Sequence, residues 1–78
     1  MNELHRKTVN QILIPGTYQH FKGGIYKVQG IAVHSETEEL MVVYSNKDGL
    51  WVRPLSMFLE VVVDNRGNLI PRFSRIGD

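Results

Sequence analysis

Cysteine is absent from this 78-residue chain, and that absence removes disulfide staples, thiolate nucleophiles and cysteine-based zinc centres together. Any core must therefore hold the fold without covalent help. No apolar run approaches the length of a membrane span, and the opening Met1-Asn2-Glu3-Leu4-His5 lacks the apolar core of a signal peptide. These two absences predict a cytoplasmic protein that makes no membrane contact. A one-sided charge is missing as well. Nine Lys and Arg against eight Asp and Glu leave a formal net charge of +1, far from the basic excess of most nucleic-acid binders, although a local patch can still form. Internal repeats and low-complexity runs are also absent. A chain of this length buries only about 60% of the surface it exposes when unfolded, so one small domain with a thin stability margin is expected.

What is present divides at Pro15-Gly16, a turn signal where the character of the chain changes. Residues 1–14 read as an N-terminal arm or a short helix near Glu3–Gln11, because Leu4, Thr8, Val9 and Ile12 share a helical face. Residues 15–76 read as the domain proper. There, about six short strands alternate with Gly, Asn and Asp turns, the pattern of an all-β sandwich or small barrel. The predicted strands are Thr17–Phe21, Ile25–Val33, Leu40–Ser45, Leu50–Arg53, Leu59–Val63 and Leu69–Phe73. Tyr26 and Val28 are in phase with each other but Ile31 and Val33 are not, so a bulge or bend is expected at Gly30. Leu40–Tyr44 is apolar on both faces, which requires cover from the arm, a loop or a second subunit, and admits a homodimer through this strand. Pro54–Phe58 reads as one short 3₁₀ or helical turn. In the next strand Leu59, Val61 and Val63 are expected to face inward, and Pro71 confines the last strand to an edge.

The ordered motifs Gly16-Thr17-Tyr18-Gln19-His20-Phe21-Lys22-Gly23, Tyr26-Lys27-Val28, Ala32-Val33-His34-Ser35-Glu36-Thr37, Val42-Val43-Tyr44, Gly49-Leu50-Trp51-Val52-Arg53-Pro54, Met57-Phe58-Leu59-Glu60 and Pro71-Arg72-Phe73 span nearly everything after Pro15. With them the chain resembles the bacterial family known as domain of unknown function 1653. The resemblance implies a compact SH3-like β-barrel and brings no activity with it. Two departures stand out. The family usually carries a glycine after Ser-Glu-Thr, where this chain has Glu38, and usually has a longer connection before its Gly-Leu-Trp.

For function, the informative stretch is Gly49–Phe58, which holds the only tryptophan. On a strand Trp51 and Arg53 share one face while Leu50 and Val52 line the other. With Tyr18, His20, Lys22 and Tyr26 across the sheet, and Arg72 near the end, they would form an aromatic and cationic surface. Such a surface suits a non-enzymatic binding or adaptor module whose partner is a protein, a peptide or a nucleic acid. The competing reading has Trp51 plugging the core, with Arg53 stacked on it and paired to Glu60 or Glu36. A small enzyme using His20 or His34 with Glu36 is the remaining alternative. Against it, no nucleophile elbow, phosphate-cradling glycine loop or paired-acid motif occurs, and Ser35 lies on the opposite face from its neighbour His34. A Ser35-Glu36-Thr37 turn held by its own hydrogen bonds explains that motif without chemistry. His5, His20 and His34 show no ligand spacing, so neither a metal nor another cofactor is expected.

Overall fold

The computed structural model describes residues 13–78, and the expected helix near Glu3–Gln11 lies outside the described residues. The described chain is all-β apart from one helical turn. Its elements are β1 (Gly16–His20), β2 (Ile25–Val33), β3 (Leu40–Asn46), β4 (Gly49–Pro54), α1 (Leu55–Phe58), β5 (Val61–Val63), β6 (Leu69–Pro71) and β7 (Phe73–Gly77). Seven strands thus replace the expected six, because the last predicted segment breaks at Arg72 and continues as a separate strand. β6 ends there and β7 begins against β1, with Phe21 N–H donating to Arg72 O at 2.8 Å.

All pairings are antiparallel, in a five-stranded sheet of order β4-β3-β2-β1-β7 and a two-stranded sheet of β5 and β6. β4 and β7 are the edges of the larger sheet, and no strand pairing closes one onto the other among the described residues. The phase change at Gly30 is present as a register shift: Val28 pairs with Tyr44 and Gly30 with Val43, leaving Gln29 as the extra residue. This shift lets Val28 be buried and Ile31 pack on the same core, although odd spacing separates them. A second shift falls between Thr17 and Tyr18 against β7. At its start Gly16 has φ +146°, and a Cβ there would lie 2.5 Å from Gly77 O, so only glycine fits.

The core is small and aromatic. Leu13, Tyr18, Val28, Val42, Tyr44, Leu55, Phe58 and Phe73 are its buried residues. Phe58 and Phe73 stack at 4.1 Å with an interplanar angle of 5°, and Tyr18 meets Phe58 edge-on at 5.5 Å. Leu13, read from sequence as part of the arm, belongs to this core. α1 exists because Pro54 ends the strand in an extended conformation, after which Leu55 and Phe58 both reach the core. Leu59 N–H donates to Leu55 O at 3.0 Å, four residues back, so the turn is α rather than 3₁₀.

β5 corrects another expectation. Leu59, Val61 and Val63 do not face inward; they are 47%, 57% and 58% exposed. Among the described residues β5 pairs only with β6, and alternation alone cannot tell a core-facing strand from a solvent-facing one. No helix among the described residues is long and apolar enough to cross a membrane.

Candidate functional site

The β3–β4 register decides where the tryptophan goes. Tyr44 opposes Trp51 and Val42 opposes Arg53, so these four side chains share the core-facing side of the sheet. Val42 and Tyr44 sit on a central strand and are buried, but β4 is the edge, and Trp51 extends beyond the core to 40% exposure. Trp51 therefore does not plug the core. Its ring meets Tyr26 at 6.5 Å and 86° and Tyr44 at 6.4 Å and 32°, while Tyr26 and Tyr44 meet at 5.3 Å and 78°. The edge-to-face contact with Tyr26 and the tilted contact with Tyr44 together orient the exposed ring.

Among the described residues Arg53 does not stack on Trp51 or pair with an acid. Its Nε donates to Tyr44 Oη at 3.3 Å, and its guanidinium carbon lies 5.5 Å from the centre of the Phe73 ring. The cation lies over the Phe73 ring, which suits the ring's negative quadrupole. Glu60 instead contacts Arg72, at 3.6 Å. Between these groups lies a cleft of about 340 Å³, lined by Tyr26, Tyr44, Asn46, Asp48, Trp51 and Arg53.

His20 stands at the other end of the same arc. It opposes Phe73 across β1 and β7, and its ring is edge-on to Phe73 at 4.9 Å and tilted over Phe21 at 4.8 Å. Lys22 N–H donates to its Nδ1 at 3.1 Å, which leaves Nε2 as the protonated nitrogen of the neutral ring. Burial holds the His20 pKa below its ordinary value, and the charges of Arg53, Arg72 and Lys22 push it the same way. Lys22 places its ammonium 5.7 Å from the Phe21 ring centre.

Of the nine candidate residues, six fall along this arc: Tyr26, Trp51 and Arg53 at the cleft, and His20, Lys22 and Arg72 beyond Phe73. Tyr18 does not belong to it. The shared face of Tyr18 and His20 points inward, so Tyr18 is buried and its hydroxyl donates to Ile14 O at 2.6 Å. Burial raises its pKa, with Arg75 opposing. His34 and Glu36 lie on an exposed turn between β2 and β3, where His34 Nδ1 accepts the N–H groups of Glu36 and Thr37 at 3.1 and 3.3 Å. The histidine holds the turn, and the Glu36 carboxylate takes no part in those bonds. Sequence reasoning missed three lining residues: Tyr44, whose hydroxyl accepts from Arg53, and Asn46 and Asp48 at the hairpin. The two-residue spacing from Tyr44 to Asn46 was the available signal.

A family model described as "Protein of unknown function (DUF1653)" matches residues 16–75. A crystal structure of a protein belonging to that family, from Bordetella bronchiseptica, superimposes with a TM-score of 0.76 at 36% sequence identity, covering 86% of this chain and 91% of the other. No curated protein matches the chain.

Proposed function

The chain belongs to the DUF1653 family, and from that premise we propose that it is a cytoplasmic, non-enzymatic binding module of SH3-like barrel architecture. The ligand surface of this reading is the Tyr26, Tyr44, Trp51 and Arg53 cleft. One observation carries it: the only tryptophan is held 40% exposed by two tyrosines, beside a guanidinium without a carboxylate partner among the described residues. Aromatic rings fixed at low entropic cost next to a cation are suited to grip an extended protein segment or a planar group. Trp51 fluorescence tests this directly, because no second tryptophan contributes. Titration with peptide and oligonucleotide panels should shift its emission, and Arg53→Gln should weaken the complex roughly 10-fold or more if the guanidinium supplies an ordinary anchor contact. Unchanged emission across both panels would refute the reading.

A second reading, binding of single-stranded nucleic acid, is favoured by the cations that continue past Phe73. Arg53, Arg72 and Lys22 all lie close enough to depress the His20 pKa, and phosphates would meet them while bases stack on Trp51. The two readings separate by salt. Oligonucleotide affinity must fall steeply as salt rises, whereas a peptide held by aromatic contacts responds weakly.

A further inference from the structure

Charge is distributed unevenly along the arc that runs from the cleft to His20. At the hairpin end the cleft is lined by an acid, Asp48, beside Asn46, whose Oδ1 accepts the Asp48 N–H at 2.8 Å. At the other end Arg53 lies over Phe73, and His20 meets the same ring edge-on at 4.9 Å. Phe21 extends the arc, meeting His20 at 4.8 Å and the Lys22 ammonium at 5.7 Å. Arg72 directly precedes Phe73. The field at His20 is therefore of one sign: Arg53, Arg72 and Lys22 all act on it, and no carboxylate among the described residues opposes them. Arg72 has a loose contact with Glu60 at 3.6 Å, but Lys22 and Arg53 keep their charges without a carboxylate partner among the described residues. His20 adds a neutral donor, because Nδ1 accepts the Lys22 N–H and leaves the proton on Nε2. Like charges gathered in this way repel one another, and a bound oxyanion removes that cost while accepting from their N–H groups.

We propose that His20, Lys22, Arg53 and Arg72 hold the terminal phosphate of a mononucleotide whose base lies against Trp51 in the cleft. Charge selects the phosphate. A phosphate monoester carries about −1.5 to −2 near neutral pH, which answers the unpaired Lys22 and Arg53 together, whereas a carboxylate or a phosphodiester brings a single charge. The neighbouring cleft selects the nucleotide. Arg53 both lines the cleft and acts on His20, so a flat ring and an anion bound there meet at one side chain and must be close. A base and a phosphate joined by one sugar satisfy that spacing. The Arg53 Nε is committed to Tyr44 Oη, which orients the guanidinium and leaves its terminal nitrogens for the phosphate. Asp48 sets the direction, since its carboxylate repels the phosphate from the hairpin end and accepts from the exocyclic amine of a base. This deepens the binding reading and rests on it for the cleft.

Trp51 and His20 report the two halves of the ligand separately. Adenosine 5′-monophosphate should quench Trp51 emission and shift the His20 ring signals in an NMR titration, with His34 on the β2–β3 turn as the unmoved reference. Inorganic phosphate should shift His20 alone. Adenosine should bind roughly 10-fold more weakly than its monophosphate, since it lacks the charge-assisted contacts. Lys22→Gln, a change on an exposed side chain that leaves the core intact, should weaken the monophosphate and leave adenosine unaffected. Equal affinities for adenosine and its monophosphate, with His20 unmoved, would overturn the proposal and leave the cleft reading standing. A His20 shift with Trp51 unmoved would also overturn it, the fault then lying in the cleft reading. Phenyl phosphate joins ring and phosphate with no sugar between them; its binding as tightly as the nucleotide would overturn the proposal in favour of a phosphorylated tyrosine side chain.

Discussion

The five-stranded sheet and the β5–β6 hairpin use the same residue types to opposite ends. β3 is Val- and Tyr-rich and buries Val42 completely, at 0% exposure. β5 is three valines in a row, and Val61 and Val63 stay more than half exposed. The difference is in what lies alongside. β3 has a strand on each side and α1 against it, while among the described residues β5 has one short strand partner. Short two-stranded hairpins are marginal in water, and this one is held by its ends. Arg72 N–H donates to Glu60 O at 2.9 Å, and Asp64 ties the turn by accepting the N–H groups of Arg66 and Asn68 at 2.8 Å each. Those bonds lower the Asp64 pKa. Apolar content makes a strand; burial depends on neighbours.

Substitutions can sharpen or break this contrast. Phe58→Ala removes the ring stacked on Phe73 and should cost about 3–5 kcal/mol, enough to unfold much of a small domain in a urea titration. Gly16→Ala should cost about 1–3 kcal/mol, because the new methyl meets the Gly77 carbonyl and φ is positive. Glu38→Gly should act in the other direction. Glu38 has φ +62°, and relieving a non-glycine residue there should raise stability by about 1 kcal/mol.

The pH prediction concerns His20. Its folded pKa lies below the ordinary 6.5, so the folded state binds fewer protons than the unfolded one between those values. Its contribution to stability is therefore present above about pH 6.5 and lost as pH falls through the folded value. Urea midpoints followed downward from neutral pH should decline, and His20→Gln should flatten that decline. The smallest effect belongs to the hairpin. Val63→Ala should change stability by no more than about 0.5 kcal/mol, and amides of β5 and β6 should exchange with solvent by local opening long before those of β3. A loss near that of Phe58→Ala would mean that the hairpin is packed after all and would end the comparison.

Much of the sheet was legible from residues alone, because alternation, glycine phase shifts and turn residues are local signals. The bulge at Gly30 and the placement of Trp51 and Arg53 on one face both followed from a period of two. Which face was the core did not follow. Tyr18 was read as surface and is buried in the core, whereas Val61 and Val63 were read as core and are exposed. Periodicity assigns residues to two faces without saying which is covered.

The sequence by itself determined an all-β chain, the placement of Trp51 and Arg53 on one face, and a core with no covalent support. Those properties depend on residue type and on spacing over a few positions. Only the tertiary structure decided that β4 is an edge, and through it that Trp51 is exposed and that Arg53 lies over Phe73 rather than over its strand neighbour. Strand order is a property of long-range pairing, set by which buried surfaces fit together across the whole chain, and no local pattern encodes it.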